Sequence, residues 1–261
     1  MAIFLCFLFF LISSATACDR CVHHTKVAYF SKASALSSGA CGYGSLALGF
    51  YGGHLAAGVP SLFKDGAGCG ACFQIRCKNT TLCSRAGTTV ILTDLNRNNQ
   101  TDFVSAAELS RPWPTRAWAN RFSSLGLWTS NTRGDRVLCN YNKQNLAIRV
   151  EEMSQKPHYL AIKVLYQGGQ TEIVGMDVAQ VDSSRWTYMT RNYGAIWDTS
   201  NVPSGPLQLR FVVTGGYDGK WVWAKKVLPA DWKVGETYDA GVQISDIAQE
   251  PCYPCDNENW K

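Results

Sequence analysis

The chain has 261 residues, a net charge of +5, and 17% charged against 46% hydrophobic residues. That length accommodates two domains of ordinary size. The positive excess is mild and scattered, which excludes a nucleic-acid footprint and suits either ordinary solubility or adhesion to an acidic matrix such as pectin.

The first element is an apolar run, Ile3 to Ile12, followed by Ser13, Ser14 and Ala15-Thr16-Ala17, a small-residue cleavage pattern. Residues 1–17 are therefore read as a signal peptide. The run is too short to cross a bilayer, which takes about 20 apolar residues, and no later stretch qualifies. The expectation is an exported chain, with no membrane association after signal removal. Of 11 cysteines, Cys6 leaves with the signal, and the ten that remain form the even set of an oxidised protein. The end pairs "CDRC" (Cys18, Cys21) and "CYPC" (Cys252, Cys255) have the spacing of a split zinc site. Export favours disulfides there, with their pairing left open. Sequons at Asn79 and Asn99 make both N-glycosylation candidates.

From Val27 to Cys139 the sequence alternates short apolar runs with glycine-rich turns, "GACGYG", "DGAGCGACFQIRC", "TTVILTDL" and "SLGLW". This predicts a β-barrel stapled by disulfides. A helix is expected over part of Ser105 to Leu109, ending before Pro112. The linker or domain boundary is placed between the polar passages "NYNKQN" and "EEMSQKPH" (Glu151 to His158) or just after them. Beyond it, "YLAIKVLY" (159–166), "EIVGMDVAQV" (172–181), "LQLRFVV" (207–213) and "KWVWAKKVL" (220–228) alternate between turn signals, as in an antiparallel sandwich. The division drawn from this is a barrel over 38–143, a second domain over 157–239, and a tail over 240–261 carrying Cys252 and Cys255.

Taken together, "GACGYG" (39–44), "GCGACFQIRC" (68–77), "VILTDLN" (90–96), "WTYMTRNYGAIW" (186–197) and the terminal "CDRC" and "PCYPC" resemble the plant expansins, most closely the expansin-like A branch. The resemblance covers nearly the whole chain after the signal. It implies a six-stranded double-psi β-barrel related to family-45 endoglucanases, followed by an immunoglobulin-like β-sandwich that binds wall polysaccharide. It also implies the disulfides Cys41–Cys69, Cys72–Cys139 and Cys77–Cys83.

Two aspartates in "LTDLNRNNQTDF", Asp94 and Asp102, are the catalytic candidates. Glycoside hydrolysis ordinarily takes two carboxyl groups. In the related endoglucanases the acid lies in a His-Phe-Asp motif, whose nearest match is Asp102, although Thr101 stands where the His would be and Phe103 follows the aspartate. The base comes from an early strand, and the matching "VAYF" (27–30) has no carboxylate. Asp94 corresponds to the aspartate beside the acid in the expansin pattern; its alternative is a turn residue accepting backbone hydrogen bonds. Ala28 replaces a threonine usual in expansins, and Asn96 stands where some relatives have tyrosine. The resemblance thus implies wall loosening without hydrolysis. The alternatives are a weak endoglucanase or lytic transglycosylase using Asp102 as acid, and a non-catalytic binding module.

Sugar rings pack their C–H faces on aromatic side chains. By resemblance, Tyr43 lines the barrel groove, and Tyr159 (beside His158) with Tyr193 and Trp197 form the platform of the second domain. Trp221 and Trp223 share a strand face and are expected in the sandwich core together with Trp186. Trp113, Trp118 and Trp128 either line a groove or fill the barrel. His23, His24 and His54 form no metal or triad spacing. No metal and no cofactor is expected. The partners expected are wall polysaccharides, cellulose, xyloglucan or another matrix glycan, engaged by a monomer outside the cell.

Overall fold

The computed structural model describes residues 23–30, 37–77, 87–98, 100–106 and 130–247, with the backbone alone for Tyr29, Phe30, Cys77 and residues 130–135. The expected signal segment, Cys18, Cys21, Cys83, Cys252, Cys255, Asn79, Asn99, Trp113, Trp118 and Trp128 lie outside the described residues, as does the bond expected between Cys77 and Cys83.

Six strands close a barrel: β1 (His23–Phe30), β2 (Leu55–Gly58), β3 (Cys72–Cys77), β4 (Thr88–Leu95), β5 (Phe103–Ala106) and β6 (Ser130–Val137). Their order is β1-β5-β2-β4-β3-β6, with β1/β5 and β2/β4 parallel and the rest antiparallel, a double-psi barrel. Val27, Ala56, Phe73, Val90, Leu92 and Phe103 pack together as one core cluster. Their strand neighbours Ala28, Ala57, Ile91 and Val104 face the other way and are covered by Cys41, Tyr43 and Phe50. Burial on both faces explains why "TTVILTDL" and "LAAG" read as continuous apolar runs. Ser105 and Ala106 belong to β5, so the helix expected from Ser105 does not start there; small residues fill a strand buried on both sides. Residues 107–109 lie outside the described residues. Disulfides join Cys41 to Cys69 and Cys72 to Cys139.

The second unit comprises β7 (Ala147–Val150), β8 (Leu160–Leu165), β9 (Glu172–Gln180), β10 (Thr187–Tyr193), β11 (Ile196–Thr199), β12 (Leu207–Gly215), β13 (Asp218–Leu228) and β14 (Thr237–Asp239). They run in the order β13-β12-β9-β10-β11-β8-β7-β14. Strand β10 pairs with β9 through Thr187–Met189 and with β11 through residues 190–193, so it serves both halves of an immunoglobulin-like sandwich. The burial of β12 alternates strictly, sending Leu207, Leu209, Phe211 and Val213 into a core shared with Ile148, Leu160, Ile162 and Met189.

Three expected boundaries move. Strand β7 lies between the two polar passages, where the boundary was expected, and pairs with β8, so Glu151 to His158 is a turn inside the sandwich, exposed except at Glu151 and Ser154, which are buried. Strand β1, upstream of residue 38, is part of the barrel. The segment from 240 is no free tail in its first turn: Ala240, Ile244 and Ile247 are buried in the sandwich core, and Leu146 N–H donates to Val242 O.

The units meet at the tip of the β10–β11 hairpin. Ala195 N–H donates to Cys41 O at 3.1 Å. Arg191 donates to Gly66 O at 3.2 Å and Gly194 O at 2.5 Å. Glu172, at the start of β9, pairs with Lys64 (2.5 Å) and Arg136 (2.8 Å) of the barrel.

Candidate functional site

Asp94, near the end of β4, stands in register with Ala57 of β2, which faces Val104 of β5, which faces Ala28 of β1. The row that carries this carboxylate across four strands holds no other. Its Oδ1 accepts hydrogen bonds from the N–H groups of Ala40 and Leu95, both at 2.7 Å. Gly39 lies against it so closely that a Cβ there would come within 2.4 Å of Asp94 Cβ. Three residues on, a Cβ at Gly42 would lie 2.7 Å from the ring of Tyr193. The glycine-rich loop thus touches the barrel carboxylate at one end and the aromatic side chain of the sandwich at the other.

Tyr193 is 44% exposed. Burial, and then the nearby Glu151 carboxylate, push its phenol above the ordinary value. Asn192 donates to Asp198 Oδ2, and Tyr159 O–H donates to the same oxygen at 2.6 Å. Burial and that hydrogen bond raise the Tyr159 phenol as well, keeping it a donor at neutral pH. Beneath them, Glu151 is paired with buried Lys163 at 2.9 Å. The side chains of Asp94, Tyr193 and Tyr159 therefore follow one another along the junction of the two units.

Asp102 lies elsewhere in the hydrogen-bond network. It is buried, and its Oδ2 accepts from Lys26 N–H at 2.8 Å and Thr25 Oγ1 at 3.2 Å, which ties the segment before β5 to β1. Asn96, also buried, donates to Thr101 O at 2.7 Å and closes the same loop. The two aspartates are thereby divided between a carboxylate beside the glycine loop and a buried strand fastening.

Two expected site residues are corrected by burial. Tyr43 packs edge-on against Phe50 at 5.0 Å in the cluster under the glycine loop, so it lines no open surface. Its phenol is pushed far up by that burial. Trp197 points into the sandwich core opposite Ile162, and the Arg191 guanidinium sits 4.3 Å from its ring centre. Of the four aromatic residues expected at a binding surface, Tyr193 is exposed and Tyr159 is half-buried. Asn192, Asp198 and Arg191 are not singled out by the sequence, because the bulge between Arg191 and Tyr193 breaks the alternation of "TRNY" and hides which side each residue takes. Trp221 and Trp223 show the opposite error: they face outward instead of filling the core, because Val222 between them is the one turned inward, and Trp186 lies half-buried against Trp223 outside the core.

A closed double-psi barrel docked on an immunoglobulin-like sandwich, with a carboxylate, an exposed tyrosine and a half-buried one along the joint, is the arrangement expected of an expansin, and the chain belongs to the expansin family. The family model "Expansin C-terminal domain" matches residues 146–229. The chain also shares the fold of the Clavibacter michiganensis expansin, both in its apo form and as a mutant in complex with cellohexaose. Each shows a TM-score of 0.64 and 18% identity over 87% of this chain and 100% of that one. Within the family the chain falls in the expansin-like A branch. It is 59% identical to Expansin-like A2 of Arabidopsis thaliana over 95% of this chain and 94% of that protein, and 57% identical to Expansin-like A1 of the same plant over 97% and 96%. Expansin-like A3 of Oryza sativa subsp. japonica is 48% identical over 95% and 91%.

Proposed function

We propose that this is an exported plant cell-wall protein that binds a wall polysaccharide along the junction and loosens noncovalent contacts between glycan chains without cutting them. The observation that carries the reading is the continuity of the surface: Asp94, the loop from Gly39 to Gly42, Tyr193 and Tyr159 succeed one another across two units held together by backbone contacts. The cellohexaose bound by the bacterial expansin of the same fold supports a β-glucan as ligand, with cellulose or xyloglucan as the class. Binding that favours a separated chain over an associated one shifts that equilibrium by the difference in affinity. Hydrolysis is disfavoured because the strand row beside Asp94 offers Ala57, Val104 and Ala28 where a second carboxyl group is required.

The test pairs two measurements on the full chain: extension of heat-killed walls under constant load, and release of new reducing ends from wall glucans. Extension without new ends, reduced by Tyr193→Ala, is the expected result. Sustained release of ends that Asp102→Asn abolishes would overturn it, and glucan binding with neither effect would reduce the protein to a binding module.

A further inference from the structure

The outer face of the other half of the sandwich carries a second aromatic surface. Met189, Met176 and Phe211 point into the core, so their neighbours Tyr188, Asp177 and Arg210 point out, and the register continues this outward row to Trp223. The tyrosines at the junction belong to the other half of the same sandwich. The two aromatic surfaces therefore lie on opposite sides of one core.

Trp221 and Trp223 are 44% and 45% exposed, and Tyr188 is 62% exposed. Arg210 is locked by two contacts to Asp177 Oδ2, each 2.7 Å. Its guanidinium lies 4.4 Å from the ring centres of both Trp186 and Trp221 and 5.4 Å from that of Trp223. Trp186 meets Trp223 edge-on at 5.3 Å. The indoles are thus held in place by a fixed cation and cost little further ordering to bind a partner. They stand on or beside β13, a strand that pairs with β12 and ends the sheet. Exposed apolar surface of this kind marks an interaction site.

The charge beside it selects the ligand. Lys225 follows Trp223 on the same strand, Lys226 occupies the bulge next to it, and Arg185 precedes Trp186. All three are exposed, and among the described residues none has an ion pair. Asp177 is spent on Arg210, and the one acidic residue in the adjoining turn, Asp182, leaves the rim net positive. We propose that this face binds a uronic-acid-bearing polysaccharide, with sugar C–H faces on Trp221 and Trp223 and carboxylates on Lys225 and Lys226. Such a site is separate from the junction surface, and the protein would hold an acidic chain on one side and a glucan on the other.

Affinity electrophoresis of the full chain tests this, in gels containing polygalacturonate, its fully methyl-esterified form, or hydroxyethyl cellulose. Trp221→Ala with Trp223→Ala is expected to weaken retardation by polygalacturonate about tenfold. Lys225→Gln with Lys226→Gln should weaken it and remove the preference over the ester, while Tyr193→Ala should affect the cellulose gel alone. The proposal is overturned if either double variant leaves polygalacturonate binding unchanged, if the ester binds as well as the acid, or if Tyr193→Ala weakens the two polymers equally. Concentration-dependent dimerisation abolished by the tryptophan variant, read by sedimentation, would assign the face to a second copy and also overturn it. Should the tryptophan variant not fold, the lysine variant decides.

Discussion

Replacing Gly194 by alanine tests the joint on which the functional reading depends. Gly194 has φ +52°, and an added Cβ would lie 2.5 Å from both Cys41 Cα and Cys41 O and 2.6 Å from Ala40 O. All three are backbone atoms, and Cys41 is held by its bond to Cys69, so no side chain can swing aside. The left-handed backbone costs an alanine roughly 1–2 kcal/mol, and the overpacking adds about 1–3 kcal/mol. Gly44 supplies the control: φ is +61° there, but nothing lies within 4 Å of its added Cβ, so Gly44→Ala should pay the backbone cost alone. In urea denaturation, Gly194→Ala should therefore lose about 2–5 kcal/mol and Gly44→Ala about 1–2 kcal/mol. The hairpin tip should withdraw, breaking the Ala195–Cys41 hydrogen bond and raising the radius of gyration in solution scattering. Equal losses for the two variants, with unchanged scattering, would refute the close backbone approach.

Asp102→Ala should destabilise the barrel by about 1–3 kcal/mol in thermal or urea unfolding, because it removes the buried carboxylate that accepts from Lys26 N–H and the Thr25 hydroxyl. Burial raises the Glu172 carboxyl, but Arg136 and then Lys64 outweigh it and hold the group below its ordinary 4.5. A folded-state value depressed in this way contributes stability that is complete above pH 4.5 and is lost as pH falls through the folded-state value. Glu172→Gln should accordingly flatten the acid limb of a stability–pH profile and leave the neutral limb parallel to wild type. Removing the Cys72–Cys139 bridge, which spans 67 residues, should cost about 4 kcal/mol by loop entropy, measured on the Cys72→Ala, Cys139→Ala double variant.

The strands of the second unit were legible because β8, β9, β12 and β13 alternate or run apolar between strong turn signals. Strand β7 was not: four residues, "AIRV", carry too little pattern, and the polar passages on either side of them make their place look like a domain boundary. Alternation in "KWVWA" places Trp221 and Trp223 on one face but cannot say which face is inside; that follows from Val222 and Ala224 packing on the core. Trp197 was misplaced for a related reason, since a lone tryptophan in a four-residue strand gives no phase. The aspartates separate only when register and hydrogen bonds are known. Asp94 and Asp102 are eight positions apart in the chain, yet one reaches Ala40 and the other Lys26.

The contact between Gly66 and Gly194 bears on how such proteins can be recombined. A Cβ on Gly66 would lie 2.8 Å from Gly194 N and Cα, and one on Gly194 2.5 Å from Cys41 Cα and O, so each side of the joint needs a bare residue against the other's backbone. A chimera joining this barrel to a foreign sandwich, or the reverse, must bring a matching glycine at the hairpin tip; without it the parts would fold separately and hang on their tether like beads. The inheritable unit is then the pair of domains and their seam together, and divergence in either partner is confined to changes that leave those two positions untouched.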